Sequence, residues 1–371
     1  MRVLGFMTGT SLDAVDMAVL DTDGEVIQGF GPAGERKLSE SVRELMLEAT
    51  EAALNWRRGE PRPDIFDRAA LAGAEEHFAA GEAFLKAHDL AWSDFDLIGM
   101  HGQTVLHERP QEGRVGRTVQ LADAQWLADA VTVPVAYDFR TADVAAGGEG
   151  APLAPAYHVA RAQASDMAPP LAVLNVGGVA NVTFWFGGED FAAFDTGPGN
   201  GMIDLLMQGR GAGRFDDMGR YASVGLVDEA VLHALLAHPY FEAPPPKSLD
   251  RYDFSLEPLE PLKLEDAAAT LVAFTAEGVR RGFDLVGAHP REVIVCGGGR
   301  RNPEIMKALA ARLSMPVRSA EEVGWRGDSI EAEAFAYLAA RTARGLPISY
   351  PRTTGVAAPM SGGRIARPAE A

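Results

Sequence analysis

The sequence predicts an α/β protein built from two domains, on three observations. The chain has 371 residues, 47% of them hydrophobic and 23% charged, which is enough to bury two cores of ordinary domain size. Short runs of β-branched and aromatic residues alternate with stretches whose apolar residues recur at helical spacing. Read along the chain, these segments run β-β-β-α-β-α-β-α and then follow the same order again. The residues of the two halves do not match, so the repeat is one of element order.

The elements follow in turn. Residues 3–7 and 14–20 are strand-like on either side of Gly9-Thr10-Ser11, residues 21–25 (DTDGE) make a turn, and 26–30 give a third strand. Residues 39–53 place Val42, Leu45, Met46 and Ala49 on one helical face, with Ser39 or Ser41 as N-cap. The Arg-, Gly- and Pro-rich stretch 56–64 is a loop, and 66–88 is an Ala-rich helix. The apolar run 95–100 ends in His101-Gly102-Gln103-Thr104, the pattern of a strand that delivers polar side chains to a cleft. A helix is expected over 120–130, a strand over 131–137 ending at Asp138 and Arg140, a flexible loop at 147–150 and a helix over 152–164. Residues 165–170 (SDMAPP) form a connector.

The second half opens with strands 171–176 and 179–186 around Gly177-Gly178, a third strand over 190–194 and a helix over 199–208. A helical insertion occupies 228–237 and 264–283, on either side of Pro244-Pro245-Pro246. Strand 292–296 opens into Gly297-Gly298-Gly299, followed by a helix over 303–313, a short strand at 316–318 and a closing helix over 329–344 with Ile330, Ala334, Phe335 and Leu338 on one face.

Charge and composition exclude several classes of function. The formal net charge of -18 opposes non-specific binding to nucleic acid or an anionic membrane, so an anionic substrate needs local donors or a divalent cation. The single cysteine, Cys296, rules out an intrachain disulfide and a cysteine-based zinc cluster and fits a reducing compartment. The N-terminal apolar run breaks at Thr8, which is unlike a signal peptide, and a cytoplasmic location is expected. No HExxH, CxxC or GxxxxGK[ST] pattern occurs.

Gly9, Thr10 and Ser11 offer backbone N–H groups and hydroxyls suited to an anion, with Leu12, Asp13, Ala14, Val15 and Asp16 completing the hairpin; an ordinary hairpin turn has the same composition. Gly177 and Gly178, flanked by Asn175 and Asn181, allow close approach of a phosphate, and Gly297, Gly298 and Gly299 ahead of a helix offer access to a nucleoside. In a pair of such domains these turns and strand ends would face an interdomain cleft. Asp195, in FDTGPGN at a strand end, is the candidate general base; the same Asp-Thr-Gly-Pro pattern is also an ordinary N-cap arrangement, in which Thr196 or Asn200 can take the capping role. His101 and Gln103 can hydrogen-bond a sugar or acyl group, while Asp138 and Arg140 can hold a hydroxyl and a carboxylate or pair with each other. His77, His88, His233 and His238 read as solvated residues of polar helical faces. Glu331 either reaches the cleft or favours its helix dipole.

The blocks GFMTGTSLDAVD, IGMHGQTVLH, VAYDFRTADVAAGGEGAPLAPAYH, LNVGGVANVT, FDTGPGNGMID, VCGGGRRN and EAEAFAYLA, in this order along nearly the whole chain, resemble the anhydro-N-acetylmuramic acid kinase family, within the superfamily of acetate and sugar kinases and actin. The resemblance implies two RNase H-like, actin-like ATPase domains with an interdomain nucleotide cleft, divided as residues 1–167 and 168–344, with the tail 345–371 on the first. It implies an enzyme in which water opens the 1,6-anhydro ring at C1 while the sugar O6 attacks the γ-phosphate of ATP. N-acetylmuramic acid 6-phosphate and ADP result, in cell-wall recycling. Asp195 would be the base on that water. Residues 9–16, Gly177, Gly178, Asn181, Gly297 to Gly299 and Asn302 would bind ATP, with Mg²⁺ held mainly through the phosphates. His101, Gln103, Asp138, Arg140 and Glu331 would bind the sugar, and a homodimer is expected. Two departures stand out: Ala14 replaces the usual glycine, and residues 247–255 read KSLDRYDFS where the family pattern is nearer KSTGREFF, which leaves the contribution of Arg251 open. The alternatives are another sugar or carboxylate kinase of the superfamily and a non-catalytic sugar- and nucleotide-binding sensor.

Overall fold

The computed structural model describes residues 1–9, 11–111, 113–249 and 253–369, so Thr10 and Arg251 lie outside the described residues. The chain forms two compact units, residues 1–166 with 329–371 and residues 167–328. Unit 1 begins with β1 (Arg2–Thr8), β2 (Ala14–Thr22) and β3 (Ile27–Lys37), then α1 (Glu40–Asn55), α2 (Ile65–Ala87) and β4 (Leu97–Met100). A hairpin of β5 (Gln103–Glu108) and β6 (Arg117–Leu121) follows, then α3 (Ala124–Val131), β7 (Val135–Tyr137), α4 (Thr141–Ala145) and α5 (Pro155–Ala164). Unit 2 holds β8 (Leu171–Val176), β9 (Val179–Gly187), β10 (Asp190–Pro198), α6 (Gly201–Gly209), α7 (Glu229–Leu236), α8 (Leu264–Val286), β11 (Val293–Cys296), α9 (Pro303–Arg312) and β12 (Val317–Ser319). The chain then returns to unit 1 with α10 (Ile330–Ala343) and β13 (Arg364–Ala366).

The two sheets have the same plan. In unit 1 the order is β13-β7-β4-β1-β2-β3, and in unit 2 it is β10-β9-β8-β11-β12. With β13 set aside, each reads third, second, first, fourth, fifth. The first three strands of each are antiparallel, and the fourth and fifth run parallel to the first. This is the RNase H-like sheet of actin-like ATPases, and the doubled element order of the sequence is therefore structural. The central parallel strands β4 (LIGM) and β11 (VIVC) are buried at every position, as strands covered on both faces must be. The outer strand β3 carries Pro32, Glu35 and Lys37 on a largely exposed edge, which discourages further strand pairing.

One core of unit 1 packs Leu4, Phe6, Met17 and Val19 against Phe66, Ala74 and Phe84 of α2 and Leu127 of α3. In unit 2, Leu174, Val182, Phe184 and Phe194 pack against Met202 and Leu206 of α6 and Leu271, Phe274 and Phe283 of α8. The closing helix α10 belongs to unit 1, whereas the sequence reading ran the second domain to residue 344. The cause is a pair of glycines. Gly5 of β1 and Gly99 of β4 stand in register, and a Cβ on them would lie 2.0 Å from the Ala332 carbonyl oxygen and 2.3 Å from that of Phe335. Only a bare backbone lets α10 lie this close to the sheet. Among the described residues, no helix is long and apolar enough to cross a membrane.

Candidate active site

Each unit carries a polar cluster at one end of its sheet. In unit 1, β1 and β2 pair up to Thr8 and Val15, and the Leu12 N–H donates to the Gly9 carbonyl at 3.1 Å across the turn between them. Leu12 takes φ 54°, a conformation that costs a residue with a Cβ about 1–2 kcal/mol. Its side chain is buried in the core, which offsets that cost and fixes the turn. Beside the turn, a Cβ on Gly9 would meet only the Ser11 Oγ, at 3.7 Å, so the backbone is open to close approach. Ser11 and Asp13 are exposed and Asp16 is half-buried.

Thr8, the last residue of β1, is anchored from behind. Its hydroxyl lies 3.1 Å from His77 Nε2, and His77 Nδ1 lies 2.6 Å from the Gly73 carbonyl. A carbonyl only accepts, so Nδ1 donates; burial pushes the His77 pKa down, and the neutral ring accepts the Thr8 proton at Nε2. His77 is thus a buried structural residue, contrary to the solvated reading, while His88, His233 and His238 are exposed.

Strand β4 delivers His101, which is 3% exposed and packs on Phe335 with ring centroids 4.5 Å apart. Burial, and then the Arg140 guanidinium, push its pKa well below the usual histidine value. The neutral ring accepts from Arg140 Nε at 3.3 Å and Nη2 at 3.2 Å through Nε2. Arg140 Nη1 also donates to the Gly150 carbonyl at 2.8 Å, and the Gly150 N–H donates to Asp143 Oδ1 at 2.7 Å. Gly150 in turn lies against the His107 ring, whose pKa burial and Arg140 lower to about 4. Asp138 and Arg140 do not form an ion pair with each other. Asp138 instead accepts from the Thr141 hydroxyl and pairs with Arg364 at 3.2 Å.

In unit 2 the cross-strand register sets Asp195 beside Asn181, Asn181 beside Asn175, and Asn175 beside Cys296. Side chains of directly paired residues share a face, so four strands present one polar row. Asp195 sits within β10, which continues to Pro198 past a register shift between Asp195 and Gly197. It is 6% exposed and fixed on three sides. Its N–H donates to the Lys247 carbonyl at 3.0 Å, its carbonyl accepts from the Tyr240 hydroxyl at 2.6 Å, and its Oδ2 accepts from the Leu249 N–H at 2.8 Å. The Lys247 ammonium donates to the Tyr240 carbonyl at 2.7 Å and lies 4.4 Å from the Tyr240 ring centroid. Burial lowers its pKa to about 8, against the opposing pull of the Asp195 charge.

Neither Asp195, Thr196 nor Asn200 caps α6 with its side chain. Thr196 Oγ1 donates to the Ala180 carbonyl at 3.1 Å, and Asn200 is the N-cap without a side-chain bond. The start of the helix is held by the glycine turn instead. Asn200 N–H donates to the Gly177 carbonyl at 2.7 Å, and the Gly199 and Gly201 N–H groups donate to the Gly178 carbonyl at 3.0 and 3.1 Å. A Cβ on the exposed Gly178 would meet nothing within 4 Å, so packing within the protein does not require that glycine. Gly297 and Gly299 are required by the fold: a Cβ on them would lie 2.1 Å from Asn175 Oδ1 and 2.3 Å from Val176 Cγ1. Asn302 accepts the Glu304 N–H at 3.0 Å as the N-cap of α9.

A family model described as anhydro-N-acetylmuramic acid kinase matches residues 1–368. The chain belongs to the anhydro-N-acetylmuramic acid kinase family. It is 77% identical over 368 residues to the protein of that name from Phenylobacterium zucineum, covering 99% of this chain and 100% of the relative. It is 69% identical over 365 residues to that from Caulobacter vibrioides, covering 98% of each. Solved structures of similar trace include the (R)-2-hydroxyglutaryl-CoA dehydratase component A of Acidaminococcus fermentans, at 14% identity and TM-score 0.47, covering 93% of this chain and 99% of that one. Another is a ROK family glucokinase from Streptomyces griseus in complex with glucose and AMPPNP, at 13% identity and TM-score 0.41, covering 91% and 99%. As a member of the family the chain is a kinase that uses ATP and a sugar acceptor.

The unit 1 cluster joins His101 to Arg140, while the Gln103 amide donates to the Thr104 carbonyl at 3.3 Å, and it adds His107 and Asp143, which the sequence did not suggest. Their signal was the Gly-rich stretch 147–150, since Asp143 and Arg140 both fasten on Gly150. Glu331 is exposed on the first turn of α10, whereas Glu333, two residues on, is fully buried and accepts from the Tyr157 hydroxyl. In unit 2 the residues missed are Lys247, Leu249 and Tyr240, all of which touch the main chain or carboxylate of Asp195 or each other.

Proposed function

We propose that the chain hydrolytically opens 1,6-anhydro-N-acetylmuramic acid and phosphorylates it at O6, giving N-acetylmuramic acid 6-phosphate and ADP, as a cytoplasmic homodimer in cell-wall recycling. The observation that carries this reading is the buried Asp195 carboxylate, held by the Leu249 amide in a row with Asn181 and Asn175. A carboxylate fixed by a backbone donor is a rigid acceptor for the proton of an attacking water. In the proposed reaction Asp195 takes that proton and the water oxygen bonds to C1. The C1–O6 bond breaks, and O6 attacks the γ-phosphoryl group as ADP leaves.

The ATP phosphates are assigned to residues 9–16, with Gly177, Gly178 and Asn181, and the nucleoside to Gly297, Gly298, Gly299 and Asn302. The open backbone beside Gly9 and the empty space beside Gly178 support the phosphate assignment. Asn302 also serves as a helix cap. Mg²⁺ fits this donor set: the carboxylates of Asp13 and Asp16 on the first hairpin are hard oxygen donors of the kind that ion takes beside phosphates. Bound through phosphates, the ion would neutralise their charge. Arg140 takes the lactyl carboxylate, with His101 and Gln103 beside it; Asp138 and Glu331 are assigned to the outer part of the sugar site.

The test is direct. The protein incubated with ATP, Mg²⁺ and 1,6-anhydro-N-acetylmuramic acid should yield ADP and a 6-phosphosugar. Phosphorylation of simple hexoses without turnover of the anhydro sugar would favour another kinase of the superfamily, and binding without turnover would favour a sensor.

A further inference from the structure

A continuous chain of contacts runs through the unit 1 cluster, from His101 to Arg140, Arg140 to Gly150, and Gly150 to both Asp143 and the His107 ring. It continues from His107 Nδ1 to the Thr118 hydroxyl at 3.3 Å and from Gln120 Nε2 to the same hydroxyl at 2.7 Å, ending at Thr104 Oγ1, 3.3 Å from Gln120 Nε2. The β5–β6 hairpin therefore joins the loop at Gly150. Two buried acceptor oxygens along this chain, Gln120 Oε1 and Asp143 Oδ2, have no hydrogen-bond partner, and neither has Gln103 Oε1 beside it, whose Nε2 donates to the Thr104 carbonyl at 3.3 Å. Gln103 and Asp143 are 3% and 1% exposed, so solvent at the surface does not satisfy them. Folded proteins rarely leave such groups unpaired, because each loses its bonds to water and gains nothing. All three lack the same thing, a donor.

We infer that Gln120 and Asp143 are specificity-determining residues of the sugar site, accepting hydrogen bonds from a ligand that brings neutral O–H and N–H donors beside the anionic group taken by Arg140. The inference rests on the proposed placement of the sugar at His101, Gln103 and Arg140. A pyranose with a free hydroxyl, an acetamido N–H and a carboxylate side chain has this combination of groups. A simple carboxylate fills only the Arg140 end. Asp143 has two parts to play, since Oδ1 anchors the Gly150 N–H and Oδ2 faces the ligand.

The test compares Gln120→Met, Asp143→Asn and Arg140→Met with the native enzyme, with KM and kcat for the anhydro sugar and for ATP, and a thermal melt for each. Gln120→Met keeps shape and removes the acceptor. Asp143→Asn keeps the acceptor to Gly150 and turns the second oxygen into a donor. Each is expected to raise the sugar KM about tenfold, with kcat within about threefold and the ATP KM unchanged. Gln120→Met should also lose discrimination against an analogue lacking the C4 hydroxyl or carrying an N-methylated acetamido group. If Arg140→Met raises the sugar KM while Gln120→Met and Asp143→Asn leave it and the discrimination unchanged, the inference fails and the proposed sugar placement stands. If Arg140→Met also leaves the sugar KM unchanged, that placement fails and the inference with it.

Discussion

In unit 2 the turn between the first two strands is closed by protein: the carbonyls of Gly177 and Gly178 receive the N–H groups that begin α6. In unit 1 the corresponding turn is held by the Leu12 N–H on the Gly9 carbonyl, by the buried Leu12 side chain and by the Leu38 N–H, which donates to the Asp13 carbonyl just ahead of α1. Its residues Ser11 and Asp13 are exposed, and its one apolar residue, Leu12, is spent on anchoring. The same strand order thus supports two kinds of turn. One is a fixed scaffold beside the buried Asp195, and the other presents hydroxyls and carboxylates outward. A second contrast concerns histidine. His77, His101 and His158 of unit 1 are buried and His107 is half-buried, whereas His233, His238 and His289 of unit 2 are exposed.

The largest effect separates a glycine that the fold requires from one that it leaves open. Gly99→Ala puts a Cβ 2.3 Å from the Phe335 carbonyl oxygen and should destabilise unit 1 by about 3 kcal/mol, because α10 must lift from the sheet. Gly178→Ala has free space around it and should change stability by less than about 0.5 kcal/mol while weakening ATP binding. Equal losses of stability in the two variants would erase the distinction between a glycine packed against α10 and one with open space beside it.

Mild acid should then act on unit 1 first. Burial lowers the pKa of His77, of His101 (with Arg140) and of His107 and His158, the last two to about 4. The fold holds these rings neutral. As pH falls from about 6.5, the unfolded chain takes up protons that the folded one refuses, so stability is lost at up to about 1.4 kcal/mol per pH unit for each ring until its folded pKa is reached. Segment-resolved hydrogen exchange between pH 7 and 4.5 should show unit 1 losing protection before unit 2, and His158→Phe should flatten the slope. Earlier loss in unit 2 would contradict the assignment of the buried rings.

The smallest expected effect concerns Asn302. Its cap on α9 should make Asn302→Ala cost about 1 kcal/mol in unit 2. A fall in ATP affinity beyond what that loss explains would add a nucleotide contact to the cap.

Much of this was legible in the sequence because it is written in local patterns. The apolar runs LIGM and VIVC and the Gly-Gly hairpin forecast the strands, and a carboxylate in FDTGPGN marked Asp195. What escaped depends on contacts distant in sequence. The assignment of α10 to unit 1 is decided by Gly5 and Gly99, more than 230 residues away in the chain, which no helical period reveals. His77 looked polar because its neighbours Glu75 and Glu76 are, yet its own face of α2 meets Thr8. The helix expected over 120–130 takes in Gln120 and Leu121, the last two residues of β6, since Gln120 has no strong preference and its partner Thr104 lies across a hairpin. Lys247 and Leu249 support Asp195 through backbone groups that any residue type could offer.

The most direct measurement is the turnover of Asp195→Asn on ATP and 1,6-anhydro-N-acetylmuramic acid, with ATP affinity measured on the same preparation. The side chain keeps its size and an oxygen for the Leu249 N–H but can no longer take a proton. Turnover should fall by at least about a hundredfold with ATP affinity little changed. Full activity in this variant would remove Asp195 from the reaction.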